Sequence, residues 1–266
     1  MILETLIDKS VYAMTNFVNS IEKVDVMERY LVHNLPILKR FNGVIIATNY
    51  TDLKFREYNE KMWRRYFPNC ILIDLDKNRG HQIGCTDLDN AIINHCKSKN
   101  IKWVCKSASD IIITDSLLTT MVDDDSDFYY INGIGYTGIV EYKVDYNKIM
   151  LEVFYPQTNF YFLDVSKIDK LIPQTELEYA YNIANTTVGY TGNIQNYIEN
   201  FCCEQILARC VVRNKLKKSH ILNDILYKEL LEIIYQYHIC DPSFKNIMLR
   251  GICHYHYTDK EIIVLE

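Results

Sequence analysis

The sequence predicts an α/β protein: a single mixed, mainly parallel sheet with helices on both faces. Three observations predict it. Short apolar runs rich in β-branched residues recur, amphipathic helical stripes separate them, and turn residues mark each change of period. Four such strands and three helices fill roughly the first 115 residues.

The first strand is read at Val11-Tyr12-Ala13-Met14-Thr15-Asn16-Phe17-Val18, closed by Asn19-Ser20. From Asp25 to Phe41, Val26, Tyr30, Leu31, Leu35, Leu38 and Phe41 share one helical stripe that Asn42-Gly43 ends. Val44-Ile45-Ile46-Ala47 is continuously apolar, as a strand covered on both faces must be, and Thr48 to Asp52 reads as the loop beyond it. A second amphipathic helix runs from Leu53 to Phe67, then a third strand at Cys70-Ile71-Leu72-Ile73. A third helix is read from Asp87, as its N-cap, to Cys96. The fourth strand begins at Ile101 and runs through Trp103-Val104-Cys105 into Lys106-Ser107-Ala108-Ser109-Asp110.

Beyond Asp115 the pattern turns mixed and rich in Tyr. The acidic turn Asp123 to Asp127 precedes Phe128-Tyr129-Tyr130-Ile131, a loop holding Gly133, Gly135 and Gly138, and Ile139-Val140-Glu141-Tyr142. Phe160 to Val165 is another strand, with a short helix starting at Ser166. Helical patterns return at 177–184, 194–216 and 221–237, and 247–257 is a strand or extended loop. The whole is read as one domain, 1–115 forming a nucleotide-binding half and 116–266 an acceptor half with C-terminal helices.

Composition narrows the classes. No apolar run reaches the ~18 residues of a membrane span, and no leader pattern opens the chain, so a soluble cytoplasmic protein is expected. Nine cysteines without a CxxC pair indicate neither a disulfide framework nor a zinc ribbon. A net charge of −5 gives no footprint for double-stranded DNA, and the basic run Arg209, Arg213, Lys215, Lys217, Lys218 reads first as a solvated helix end. The abundance of Ile, Asn, Lys and Tyr fits an AT-rich genome, such as that of a virus or phage, in which case the location is the host cytoplasm.

The candidate site starts from Asp110. In open α/β sheets ligands bind outside the carboxyl ends of the strands, and a carboxylate delivered there meets whatever the fold binds. A turn would explain Asp110 equally well. The doublets Asp74/Asp76, Asp87/Asp89 and Asp123/Asp125 are of a kind that arises by chance in an acidic chain. In the tail, His254 and His256 stand at i, i+2, which in a strand puts both rings on one face.

Taken together, Thr15-Asn16 after strand one, Thr48-Asn49-Tyr50-Thr51-Asp52 after strand two, Asn78-Arg79-Gly80 after strand three, Ser109-Asp110 after strand four and Glu204-Gln205-Ile206-Leu207-Ala208-Arg209 resemble the glycosyltransferase A fold, in particular its large family of nucleotide-sugar-dependent transferases. The resemblance runs from the first strand nearly to the C-terminus and implies a GT-A, Rossmann-like donor half. It implies a UDP- or GDP-sugar donor held by Thr15, Asn16, Asn49, Asp52, Asn78, Gly80 and Ser109, and a glycan or small hydroxyl acceptor over the Tyr-rich half. It also implies Mn2+ or Mg2+ at Asp110 with His254 or His256, and Glu204 as the base facing the acceptor hydroxyl. The chain departs from the family's D-x-D at Ala108, which carries no acid, and its strand-two turn lacks the usual first Asp. A nucleotide- or glycan-binding module that has lost transfer activity is the alternative; a nucleotidyltransferase fits less well, because Asn19-Ser20-Ile21-Glu22 offers no glycine-rich basic loop.

Overall fold

Val11 to Met14 are apolar on both faces and buried, which suits a central position, and the chain builds its sheet outward from this strand. The computed structural model describes residues 1–79, 81–109, 111, 113, 115–123, 125–132, 139–144, 147–152, 156–171, 203–221, 246–249, 252–255 and 263–265. After a 3-10 turn at Leu3–Lys9 comes β1 (Ser10–Val18), then α1 (Ile21–Leu38), β2 (Val44–Tyr50), α2 (Lys54–Tyr66), β3 (Ile71–Leu75), α3 (His81–Ser98) and β4 (Trp103–Ala108). The second part gives α4 (Asp115–Leu118), β5 (Phe128–Asn132), β6 (Ile139–Val144), β7 (Asn147–Glu152) and β8 (Pro156–Asp164), with a 3-10 turn at Val165–Lys167. It continues with α5 (Cys203–Arg213), β9 (Lys218–His220), β10 (Asn246–Leu249), β11 (Ile252–Tyr255) and β12 (Ile263–Leu265).

Seven strands form one sheet in the order β3-β2-β1-β4-β8-β5-β9. β1 pairs in parallel with β2 and β4, β2 with β3 and β5 with β9, whereas β8 runs antiparallel to both β4 and β5. The sheet is therefore mixed and mainly parallel, as the sequence predicts. Among the described residues, β6 and β7 make a separate hairpin and β10, β11 and β12 a small separate sheet.

Strand periodicity sorts the core into two layers. Tyr12 and Met14 of β1, Ile46 of β2 and Cys105 of β4 face α1 and α2, packing on Val24, Met27, Leu31, Met62 and Trp63. Val11, Ala13, Ile45, Ala47 and Val104 face the other way, onto Leu88 and Ile92 of α3 and Ile206 and Leu207 of α5. Helices thus cover both faces. Tyr129, Tyr130 and Tyr161 of the Tyr-rich half are buried in these layers and offer no ring face to an acceptor.

Element boundaries moved where tertiary pairing decided them. β2 continues through Thr48, Asn49 and Tyr50, read from sequence as loop, because Asn16 to Val18 of β1 pair with them on one side and Asp74 and Leu75 with Thr48 and Asn49 on the other. α3 starts six residues before Asp87, so Asp87 is not its N-cap. Its carboxylate instead takes Arg79 Nε at 2.7 Å. The helical patterns at 177–184 and 222–237, residues 194–202 and the loop at 133–138 lie outside the described residues.

α1 begins where Ser20 Oγ accepts the Lys23 N–H at 3.1 Å. Deeper in that helix, fully buried Asn34 donates to the Ile111 carbonyl at 2.6 Å and accepts the Ile113 N–H at 2.8 Å, pinning the backbone just beyond β4. Asn34→Ala leaves both backbone groups without this partner, and each such loss costs about 1–3 kcal/mol in a buried site. Urea unfolding should show a drop of that order. A variant as stable as wild type would mean that water takes over the bridge.

Candidate functional site at the carboxyl ends of β1 and β4

Strand order locates the crevice. β2 and β3 lie to one side of β1 and β4 to the other, so the order reverses between β1 and β4, and ligands of such sheets bind outside the carboxyl ends at that point. β1 ends in Thr15-Asn16-Phe17-Val18 and β4 in Ser107-Ala108.

The residues that sequence assigned to the donor divide between the two faces here. Thr15 and Asn49 share the parity of Ala13 and Ala47, toward α3 and α5; Asn16 shares that of Met14, toward α1 and α2. Asn16 is 4 % exposed and neither its amide nitrogen nor its oxygen has a partner. Asn49, also buried, donates weakly to the Gly84 carbonyl at 3.5 Å and leaves its oxygen unpartnered. Unfilled buried amides are costly unless something occupies them. Asn78 joins Asn49 around α3: a methyl at Gly84 would lie 3.1 Å from Asn78 Oδ1 and 3.4 Å from Asn49 Nδ2. Gly84→Ala should therefore keep the fold, since alanine favours a helix, while displacing both amides. Calorimetry with a nucleoside diphosphate is expected to read binding about tenfold weaker.

Asp52 is exposed and already occupied at the start of α2. Its Oδ1 accepts the Lys54 N–H at 2.9 Å and its Oδ2 pairs with the Lys54 ammonium at 2.9 Å, which together hold its carboxyl below the ordinary range. Ser109 is buried directly after β4. Gly80, Asp110 and His256 lie outside the described residues, and of His254 only its place in β11 is described.

Glu204 is carried to the same edge from far along the chain. β8 opposes β4 with Phe160 beside Ser107, which sets Thr158 level with Ser109 beyond the β4 terminus. Thr158 donates its hydroxyl to Glu204 Oε1 at 2.7 Å, and the Cys203 thiol lies 3.4 Å from both Glu204 Oε2 and Thr158 Oγ1. Glu204 stands in the first turn of α5, where the helix dipole favours a carboxylate.

Beneath it lies a buried ion pair that the sequence reading missed. Lys106, 4 % exposed, and Asp89, 3 % exposed, approach to 3.6 Å, a separation held by charge rather than by a hydrogen bond to that oxygen. Lys106 also donates to the Thr158 carbonyl and sits over the Tyr161 ring. Burial pushes the Asp89 carboxyl up, against the pull of the Lys106 ammonium. The signal was available: Lys106 interrupts an apolar strand and Asp89 an apolar helix face, a pattern that only a buried pair accommodates. The basic end of α5, by contrast, is a surface feature, with Lys217 paired to Asp125.

A hard divalent cation would need a cluster of oxygen ligands. Among the described residues no three His, Cys, Asp or Glu side chains converge to hold a metal ion. No described helix is long and apolar enough to cross a membrane.

No family model and no curated protein sequence matches the chain. Several solved structures resemble it in shape. One is an inositol-1-phosphate CTP transferase from T. maritima, at 10% identity and TM-score 0.39, over 80% of this chain and 86% of that one. Another is an active-site mutant of LgtC, at 9% and 0.43, over 79% and 72%. A third is a nucleoside-diphosphate-sugar pyrophosphorylase from Vibrio cholerae RC9, at 9% and 0.41, over 78% and 90%.

Proposed function

We propose that the chain transfers a sugar from a nucleotide-sugar donor, a UDP- or GDP-sugar, to a hydroxyl of a glycan or small acceptor, with Glu204 as general base. The observation that carries this reading is the Thr158 to Glu204 hydrogen bond. It fixes a carboxylate at the carboxyl end of β4, beside the switch point of the sheet. A base within hydrogen-bond reach of the acceptor hydroxyl takes its proton as the oxygen attacks the anomeric carbon and the bond to the diphosphate breaks. The unpartnered amides of Asn16 and Asn49 support a polar ligand at the ends of β1 and β2. Thr15, Asn78, Gly80 and Ser109 complete the proposed donor contacts; Asp52, committed to Lys54, is the weakest member of that set.

A divalent cation, Mn2+ or Mg2+, would neutralise the leaving diphosphate when bound. Asp110, next in sequence to Ile111, is its proposed ligand, with His254 or His256 as the second. Asp110→Ala is expected to abolish turnover while leaving thermal unfolding unchanged. A fully active variant would refute the assignment. A screen of nucleotide sugars for release of nucleoside diphosphate tests the function as a whole.

One observation favours the second reading, a nucleotide- or glycan-binding module: both oxygens of Glu204 already lie within reach of a hydroxyl or thiol donor. Calorimetry with nucleoside diphosphates, with and without Mn2+, separates the two. Metal-enhanced binding with slow donor hydrolysis supports the transferase, and metal-indifferent binding without hydrolysis supports the module.

A further inference from the structure

β8 loses its regular ladders just where it meets Glu204. Against β4 the pairing stops at Phe160 opposite Ser107. Against β5, β8 steps five residues from Tyr161 to Pro156 while β5 steps two from Tyr130 to Asn132. Thr158 lies inside this irregular stretch and is buried. Buried backbone groups outside a regular ladder need other partners, and the Lys106 ammonium supplies one by donating to the Thr158 carbonyl. The hydroxyl of the same residue donates to Glu204 Oε1 at 2.7 Å. Thr158 is thus tied through its carbonyl to β4 and through its side chain to the first turn of α5.

Asp89 completes the arrangement from α3. Its Oδ1 stands 3.6 Å from Lys106 Nζ and accepts no hydrogen bond, so it supplies counter-charge while an ammonium N–H goes to Thr158. A buried pair of this kind adds little net stability compared with an apolar pair, because desolvating both ions offsets their attraction. What it does here is hold one carbonyl of β8 in place.

We propose that Lys106 and Thr158 are positioning residues for Glu204: Lys106 clamps the irregular stretch of β8, and the Thr158 hydroxyl fixes the plane of the carboxylate. The effect on turnover rests on the reading of Glu204 as general base; the positioning itself does not. Irregular ladders beside active sites re-aim single side chains. A base held off its line to the acceptor hydroxyl loses rate, and a misplacement of about 1 Å costs up to about 10²-fold.

Two substitutions at one position test this. Thr158→Val keeps the shape and removes the hydroxyl, whereas Thr158→Ser keeps the hydroxyl. Assayed with a nucleotide sugar and a hydroxyl acceptor, Thr158→Val is expected to lower kcat by about 10- to 100-fold with KM within about twofold, and Thr158→Ser to return most of the rate. Lys106→Met combined with Asp89→Leu is expected to fold, as an apolar pair of similar volume allows, and still to lose about tenfold in kcat. A crystal structure of Thr158→Val should show the Glu204 carboxylate turned out of its place beside β8. Full turnover in Thr158→Val or in the folded double variant overturns the proposal, and so does a Thr158→Ser variant no faster than Thr158→Val. If the wild-type protein releases no nucleoside diphosphate from any donor, the transferase reading is what fails. The crystal structure of Thr158→Val then decides the positioning by itself, and a Glu204 carboxylate that has not moved overturns it.

Discussion

Replacing Lys106 with Met is expected to remove about 3–5 kcal/mol of folding stability, the usual cost of stripping one partner from a buried ion pair. Asp89, 3 % exposed, would lose its cation, and the Thr158 carbonyl would lose a donor. Urea unfolding of the variant measures the loss directly. The double variant Lys106→Met with Asp89→Leu should recover much of it, because an apolar pair of similar volume is often no worse than the ions it replaces. A single variant within about 0.5 kcal/mol of wild type, the range of ordinary surface substitutions, would mean that the pair is solvated in solution.

The pH dependence has a definite sign. The folded-state pKa of Asp89 is raised by burial, so its contribution favours folding fully below the unfolded carboxylate value and is lost as pH rises through the raised folded value. Without the Lys106 ammonium the rise is larger. The stability gap between Lys106→Met and wild type should therefore widen from acid toward neutral pH. A gap that narrows over that range contradicts the assignment of the cost to Asp89.

Glu204→Gln is expected to lower turnover by about 10²- to 10⁴-fold with little change in KM, the range typical for removing a general base. The amide keeps an oxygen for the Thr158 hydroxyl, now 2.7 Å from Oε1, so the thermal midpoint should hold. Single-turnover release of nucleoside diphosphate, read beside thermal unfolding, decides it. A drop in activity that tracks a drop in stability would assign Glu204 to structure alone.

The alternation of apolar runs and amphipathic stripes was enough to place β1, α1, β2, α2, β3, α3 and β4, because burial on a sheet face or a helix stripe leaves a local period in the chain. Where ladders end left no such trace. Thr48-Asn49-Tyr50 looks like a turn until Asn16 to Val18 are seen to pair with it. Asp87 looked like a cap because Asp is a common one, yet the helix runs back to His81 and Asp87 answers Arg79 instead.

The chain by itself determined the class of fold and the carboxyl-end position of Asn16, Asn49 and Ser109, and it put Glu204 on a helix whose start at Cys203 it did not show. Tertiary structure alone decided that β8 runs antiparallel beside β4, and so that Thr158 meets Glu204 at that edge. It alone joined Lys106 to Asp89 and the Cys203 thiol to Thr158. The physical reason is range. Periodicity records what one segment does with its own faces, whereas a buried charge or thiol is defined by a partner that only the packing of distant segments supplies.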